Sequence, residues 1–181
     1  RFAAQVVNQP PGSAETLAKI AELSKTWPNT AITGADLYGA QLFHGPAFAT
    51  LQRVDRLGEH GARADLTVGR TVGWECTVWR SDPALLDGGL QLARVWGYER
   101  LKQLTLPTVI EAVVPHETGL LAADRKVRCI VEGKLIGQAG TRSNLWFVDA
   151  QSGAIIAEVR GLEMYVSSET PLAPAQAGGA D

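Results

Sequence analysis

Asp87 and Gln91 stand four residues apart in the run Asp82-Pro83-Ala84-Leu85-Leu86-Asp87-Gly88-Gly89-Leu90-Gln91-Leu92-Ala93-Arg94-Val95-Trp96. On a helix, positions i and i+4 share a face, so the Gln91 amide can hold the Asp87 carboxyl. The surroundings are apolar: Leu85, Leu86, Leu90, Leu92, Ala93, Val95 and Trp96 cover nearly every side of such a helix. A helix apolar all round is a buried one, and this one is too short and too interrupted to span a membrane. A carboxyl placed there is costly unless it is paired, hydrogen-bonded or neutralised. Both a satisfied structural Asp and a catalytic one meet that condition, and spacing alone leaves the two open.

A second group lies upstream, in Tyr38-Gly39-Ala40-Gln41-Leu42-Phe43-His44-Gly45-Pro46-Ala47-Phe48. Gly45-Pro46 between aromatics fixes a tight, irregular backbone, a turn that places side chains and not a helix. His44 is one of three histidines. A neutral imidazole there can donate a hydrogen bond from a rigid loop, or it can simply pack between Phe43 and Phe48. His60 falls in a charged turn and is expected to be solvated. His116 ends a strand just before Glu117 and is expected at an edge or on the surface.

The elements that must carry these residues can be read in order. Ser13 caps a helix to about Thr26 with Leu17, Ile20 and Ala21 on one face, and Trp27-Pro28 closes it. Residues 49–57 form a strand, Gly58-Glu59-His60-Gly61 a hairpin turn, and Ala62, Ala64, Leu66 and Val68 alternate with Arg63, Asp65 and Thr67 as a half-buried strand. Thr71 to Trp79 is β-prone by composition. Asp82 is a good N-cap and Pro83 suits the first helical position, so the central helix starts there and runs to about Gln103. Pro107 opens a strand reaching His116. Val127, Cys129, Val131 and Leu135 face one way, with Lys126, Arg128, Glu132 and Lys134 opposite. Leu145 to Asp149 is a short strand, and Ala150-Gln151-Ser152-Gly153 turns it back. Ile155, Ala157 and Val159 then point inward, but after Gly161 the parity switches to Leu162, Met164 and Val166. A one-residue slip flips every side chain, so a β-bulge is expected at Arg160-Gly161.

The chain has 181 residues and a formal net charge of −2 with both signs interspersed, which marks neither a nucleic-acid nor a membrane partner. Cys76 and Cys129 are far apart and in no metal spacing, and neither a signal peptide nor a transmembrane run is visible. A cytoplasmic setting is expected. The first residue is Arg1, which suggests a piece of something longer.

Asp82-Pro83-Ala84-Leu85-Leu86-Asp87-Gly88-Gly89-Leu90-Gln91 resembles the His/Asp-Pro-x-Leu-Leu-Asp-x-x-x-Gln/His signature of dehydratase domains in polyketide and polyunsaturated-fatty-acid synthases. Gly45-Pro46-Ala47-Phe48 matches the Gly-Pro-x-Phe end of a second family motif, whose two tyrosines are here Leu42 and His44. Leu106-Pro107 keeps the first two residues of a Leu-Pro-Phe-x-Trp motif and lacks its aromatics. Phe43-His44-Gly45-Pro46 is similar to what iterative synthases carry.

The resemblance implies an α+β fold, one half of a double hot dog, with an antiparallel sheet wrapped around one long central helix. About six strands and one helix would make a single hot dog over residues 30–166, with residues 1–29 a linker and helix and residues 167–181 a flexible linker. It implies that Asp87 is the acid protonating the departing β-hydroxyl of a 3-hydroxyacyl thioester, oriented by Gln91, with His44 in the place of an active-site tyrosine. Tyr38, Phe43, Gly45, Pro46, Phe48, Leu106 and Pro107 would line the substrate. The family's base is a His of the first hot dog, in a His-x-x-x-Gly-x-x-x-x-Pro motif that this chain lacks. Three readings follow: the C-terminal half of a dehydratase, a lone hot dog completed by another chain, or a non-catalytic module that docks an acyl carrier protein or braces a synthase. The implied partners are an acyl carrier protein with its phosphopantetheine arm, a sister hot dog and a second copy in a homodimer. No metal or other cofactor is implied.

Overall fold

The computed structural model describes residues 14–75 and 79–167, without the side chains of Ala14 and Leu17. The linker expected at Gln9 to Gly12, the Ser13 cap, the Leu17 side chain and the tail beyond Ser167 lie outside the described residues. The elements in chain order are α1 (Ala14–Lys25), β1 (Asn29–Thr33), α2 (Gly34–Leu37), β2 (Leu51–Gly58), β3 (Gly61–Leu66), α3 (Pro83–Leu101), β4 (Thr105–Val109), β5 (Ala112–Pro115), β6 (Val127–Ile136), β7 (Gly140–Asp149) and β8 (Ile155–Val166). The strands form one antiparallel sheet in the order β1-β2-β3-β6-β7-β8-β4, with β5 beside β4 along the outer edge of β8.

The central helix starts where its sequence dictates. The Asp82 carboxylate accepts from the Ala84 amide at 3.0 Å, and Pro83 opens the first turn. Asp82 also accepts from the Gly69 amide and from the Leu121 amide at 3.2 Å, so it holds two loops as well as the helix. At the other end Lys102 adopts a left-handed conformation, φ 54°, and its amide returns to the Tyr98 carbonyl. Lodged in the curve of the sheet, α3 is buried on most sides, and Leu86, Asp87 and Leu90 are its half-buried strip in the N-terminal half.

Two glycines set how closely helix and sheet approach. A Cβ on Gly89 would lie 2.5 Å from the Phe147 ring, and one on Gly88 2.9 Å from the Thr50 hydroxyl oxygen. Each glycine costs about 1 kcal/mol of helix propensity relative to alanine. That cost is offset by the contact of α3 with Phe147, which is fully buried.

The alternation of side chains divides the core. Val127, Cys129 and Val131 on β6 and Leu145 and Phe147 on β7 face α3, with Leu92, Val95 and Trp96. Ile130 and Trp146 face the other way and join Ile20, Trp27 and Ile155 in a second cluster. The expected bulge is present. Ser143 pairs Leu162 and Leu145 pairs Val159, so Arg160 and Gly161 oppose Asn144 alone. Gly161 takes the positive φ, 61°, that the bulge requires, and its amide donates to Asn144 Oδ1 at 3.0 Å.

Several local expectations are corrected. Within Thr71 to Trp79 the described part holds a 3-10 turn over Gly69–Val72 and no strand, because Asp82 ties the Gly69 amide down; residues 76–78 lie outside the described residues. The strand expected from Pro107 to His116 is two, β4 and β5, since the β8 bulge shifts the register they pair with. A second irregularity at Ile156 puts Ile155 in the outer cluster, not inward with Ala157 and Val159. Leu135 is exposed at the end of β6 and Ala21 is exposed on α1, where Leu23 and Ser24 take its place. The segment Ala35 to Phe48, expected to be a turn and not a helix, begins with a single helical turn, α2, closed by a capping box from Thr33 and Asp36. His116 is buried, with its Nε2 2.8 Å from Glu158 Oε1. One long helix wrapped by a continuous antiparallel sheet is the hot-dog arrangement.

Candidate active site

The site is built on the half-buried strip of α3 and the loop before β2. Gln91 Nε2 donates to Asp87 Oδ2 at 2.6 Å, as the i,i+4 spacing requires, and also to the Phe48 carbonyl at 2.8 Å. Its other end is fixed too: the Tyr38 hydroxyl donates to Gln91 Oε1 at 2.6 Å and accepts from the Leu51 amide at 2.9 Å. The amide is held at both ends and cannot turn over without breaking bonds. Four segments (α2, the Gly45–Phe48 turn, β2 and α3) thus converge on one carboxyl.

The turn has its own supports. Pro46–Phe48 is a 3-10 turn preceded by Gly45, closed by the Phe48 amide on the Gly45 carbonyl. The Trp74 indole donates to the Ala47 carbonyl at 3.1 Å and meets the Phe48 ring edge-on at 5.3 Å. His44 stacks on Phe43 with centroids 4.6 Å apart and planes within 15°, and its Nδ1 is buried with no hydrogen-bond partner. Phe43 itself is 73% exposed and Phe48 47% exposed, so the mouth of the site is apolar.

The electrostatics follow from burial. Desolvation pushes the Asp87 carboxyl above its ordinary value, against the opposing pulls of His44 and of the Gln91 hydrogen bond. Desolvation lowers His44 below the ordinary imidazole value; Asp87 opposes that shift and Arg94 adds to it. Burial likewise raises Tyr38. All three shifts favour the neutral forms. Among the described residues, no three His, Cys, Asp or Glu side chains converge as metal ligands would.

Asp87, Gln91, His44, Tyr38, Phe43, Gly45, Pro46 and Phe48 are therefore placed in one neighbourhood. The Tyr38 hydroxyl is engaged by Gln91 and Leu51. Leu106 and Pro107 are not brought to this group. They lie on β4, paired with Tyr165 and Met164, next to the far end of α3, where Thr105 meets Gly97. Ten residues of helix put Gly97 about 15 Å beyond Asp87.

Arg94 was not foreseen. It is 7% exposed, on the same helix face as Asp87 and Gln91, with its guanidinium 4.9 Å from the centre of the Phe43 ring. The available signal was the polar series 87, 91, 94 at helical spacing, hidden by the apolar residues between.

The comparisons with known proteins bear on the fold and the family. The family model of the polyketide synthase dehydratase N-terminal domain matches residues 22–174. Among solved structures, the dehydratase domain of a mycocerosic acid synthase-like polyketide synthase is similar with a TM-score of 0.65 at 18% identity, over 87% of this chain and 54% of that one. The dehydratase domain from the CurF module of curacin polyketide synthase gives 0.64 at 18%, over 88% and 53%. A trans-AT polyketide synthase dehydratase domain from Brevibacillus brevis gives 0.65 at 16%, over 90% and 55%. At these identities the likeness shows the shared fold, and this chain spans about half the length of each. No curated protein matches. A family model covering most of the chain, on a hot dog whose central helix presents a clamped carboxyl, places the protein: it belongs to the polyketide synthase dehydratase domain family.

Proposed function

We propose that this chain is the second, C-terminal hot dog of a 3-hydroxyacyl-thioester dehydratase and supplies the catalytic acid, Asp87. The matching family description speaks of an N-terminal domain; the Asp-x-x-x-Gln register on α3 supports the second unit. The observation that carries the reading is the chain Tyr38–Gln91–Asp87. Gln91 grips Oδ2, so the proton of the neutral carboxyl resides on Oδ1 and is free to be given away. A hydroxyl leaves poorly unless protonated, and an apolar setting keeps the donor in its acid form.

In the reaction, a His of the first hot dog removes the α-proton, which is acidified by the thioester. The C–H electrons form the α,β double bond, the β C–O bond breaks, and the hydroxyl leaves as water with the proton from Asp87. Phe43, Phe48, Gly45 and Pro46 form the mouth through which an acyl carrier protein would present its phosphopantetheine-bound substrate. Leu106 and Pro107 enter only for an acyl chain long enough to reach the far end of α3. The exposed Phe43, Phe48 and Trp79 rings suit coverage by a sister unit, and pairing of two such dehydratases as a homodimer belongs to the same reading. No cofactor takes part.

The test uses a polypeptide that carries both hot dogs. Asp87→Asn should lower dehydration of a 3-hydroxyacyl thioester by about 10²–10⁴-fold. Activity within a few-fold of wild type would refute the assignment. The isolated chain should be inactive, and turnover by it that Asp87→Asn abolishes would mean that it contains its own base.

A further inference from the structure

We infer that Arg94 forms an anion subsite, beside the reacting centre, for a carboxylate carried on the acyl chain of the substrate. This deepens the dehydratase reading and rests on it. Arg94 sits two turns along α3 from Asp87, on the same face, and is 7% exposed. Among the described residues no hydrogen bond or ion pair reaches its guanidinium. Its Nε is buried without a partner, its guanidinium lies over the Phe43 ring, and its charge acts on His44.

A guanidinium stays charged at any physiological pH, and a buried charge is retained only where something compensates it. The π-face of Phe43 compensates in part, but it provides no acceptor for the buried Nε–H. Buried donors left open are rare in folded proteins and call for a missing partner. His44 Nδ1, on the ring stacked against Phe43, is likewise buried and unpartnered. Two open hydrogen-bonding groups, Arg94 Nε and His44 Nδ1, thus lie on side chains that both meet the Phe43 ring.

The partner is a full anion, because a neutral thioester would leave the cation uncompensated in the bound complex. A carboxylate matches the planar guanidinium fork. Seven residues of helix rise are about 10 Å, and an arginine side chain leans back toward the helix N-terminus. The guanidinium is therefore within a few bonds of the carbon that loses its hydroxyl. The phosphate of a pantetheine arm lies the whole length of that arm away from the thioester, too far to serve.

The test is discrimination between two pantetheine thioesters of equal chain length, a 3-hydroxyacyl group ending in a carboxylate and its methyl ester, by the two-hot-dog dehydratase. Wild type should prefer the carboxylate by about tenfold or more in kcat/KM, and Arg94→Met should bring the ratio to about one. A wild-type ratio of one, or a preference that survives in Arg94→Met, overturns the inference. So does an equal fall in kcat for both substrates, which would make Arg94 a stabiliser of the reaction's own charge. Calorimetric binding of the corresponding acyl-pantetheine amides, which lack the 3-hydroxyl, needs no chemistry. If no substrate is dehydrated but the carboxylate amide binds wild type about tenfold better than its ester, the dehydratase reading falls and the subsite stands. If the two amides bind alike, the subsite falls whatever the activity. Should Arg94→Met fail to fold by circular dichroism, the wild-type ratio between the two amides decides alone.

Discussion

Removing one oxygen from Tyr38 should both loosen the fold and detune Asp87. Tyr38→Phe keeps the ring but deletes the donor to Gln91 Oε1 and the acceptor for the Leu51 amide. A net hydrogen bond contributes about 1 kcal/mol, and a stranded buried N–H costs about 1–3 kcal/mol. The sum, about 2–4 kcal/mol if Leu51 finds no water, corresponds at the lower end to a fall in Tm of about 4–8 °C for a domain of this size. The catalytic effect has a definite sign. The Gln91 hydrogen bond holds the Asp87 pKa down against burial. With Gln91 free to turn over, that restraint weakens and the carboxyl pKa rises further. An acid must be protonated to act, so the alkaline limb of the kcat profile should move to higher pH. Meanwhile the rate at the optimum should fall about tenfold, because the proton is no longer confined to Oδ1. Thermal melts by circular dichroism and a pH profile of the two-hot-dog enzyme measure both. A melt within about 1 °C of wild type together with an unmoved alkaline limb would refute the idea that Tyr38 sets Gln91 and Gln91 sets Asp87.

His44→Tyr restores the family residue beside Asp87 and should keep most dehydratase activity, whereas His44→Phe should lose about tenfold or more; equal activity of His and Phe would make the residue packing alone, and a Tyr variant as dead as Phe would make His44 the base. Gly89→Ala should destabilise by about 1–3 kcal/mol through collision with Phe147, and chemical denaturation showing an unchanged midpoint would disprove the tight approach of α3. Asp149 is held at about 2 by the Ser152 amide first, with Arg125 and the Ser152 hydroxyl assisting. Its folded pKa lies below the ordinary value of 3.8, so its contribution is complete above about 4 and is lost as pH falls toward 2. Asp149→Asn should therefore lower Tm at neutral pH and flatten the Tm decline across that acid window; a variant that melts in parallel with wild type from pH 5 to about 2 would contradict this.

Features fixed by local chemistry were legible in the sequence. Asp82-Pro83 announced the start of α3, the spacing of Asp87 and Gln91 gave their hydrogen bond, and the change of parity after Val159 located the Arg160-Gly161 bulge. What escaped depends on contacts between distant segments. Thr71 to Trp79 has strand-like composition, but the Asp82 carboxylate claims the Gly69 amide and bends the chain into a 3-10 turn. The division into β4 and β5 is imposed by the partner strand β8 and not by residues 105–115. Tyr38 could be placed near the substrate by resemblance, yet its bond to Gln91 spans 53 positions of sequence. Arg94 was concealed by its neighbours: on a helix read as apolar all round, one cation passes for an exposed surface residue, yet it is buried, with its guanidinium over Phe43 of the loop before β2.

The three-way grip of Asp82 has a consequence for how the molecule breathes. Its carboxylate joins the loop at Gly69, the loop at Leu121 and the first turn of α3. Protein segments open in cooperative units, and here two loops 52 positions apart are both latched to Asp82. Hydrogen exchange at the Gly69 and Leu121 amides should therefore proceed as one event, with the same opening free energy, and the Thr71 hydroxyl, which donates to the Ala123 carbonyl at 2.9 Å, ties the two loops further. Because the latch is also the cap of the helix that carries Asp87, opening of the two loops and fraying of that helix should be coupled through Asp82.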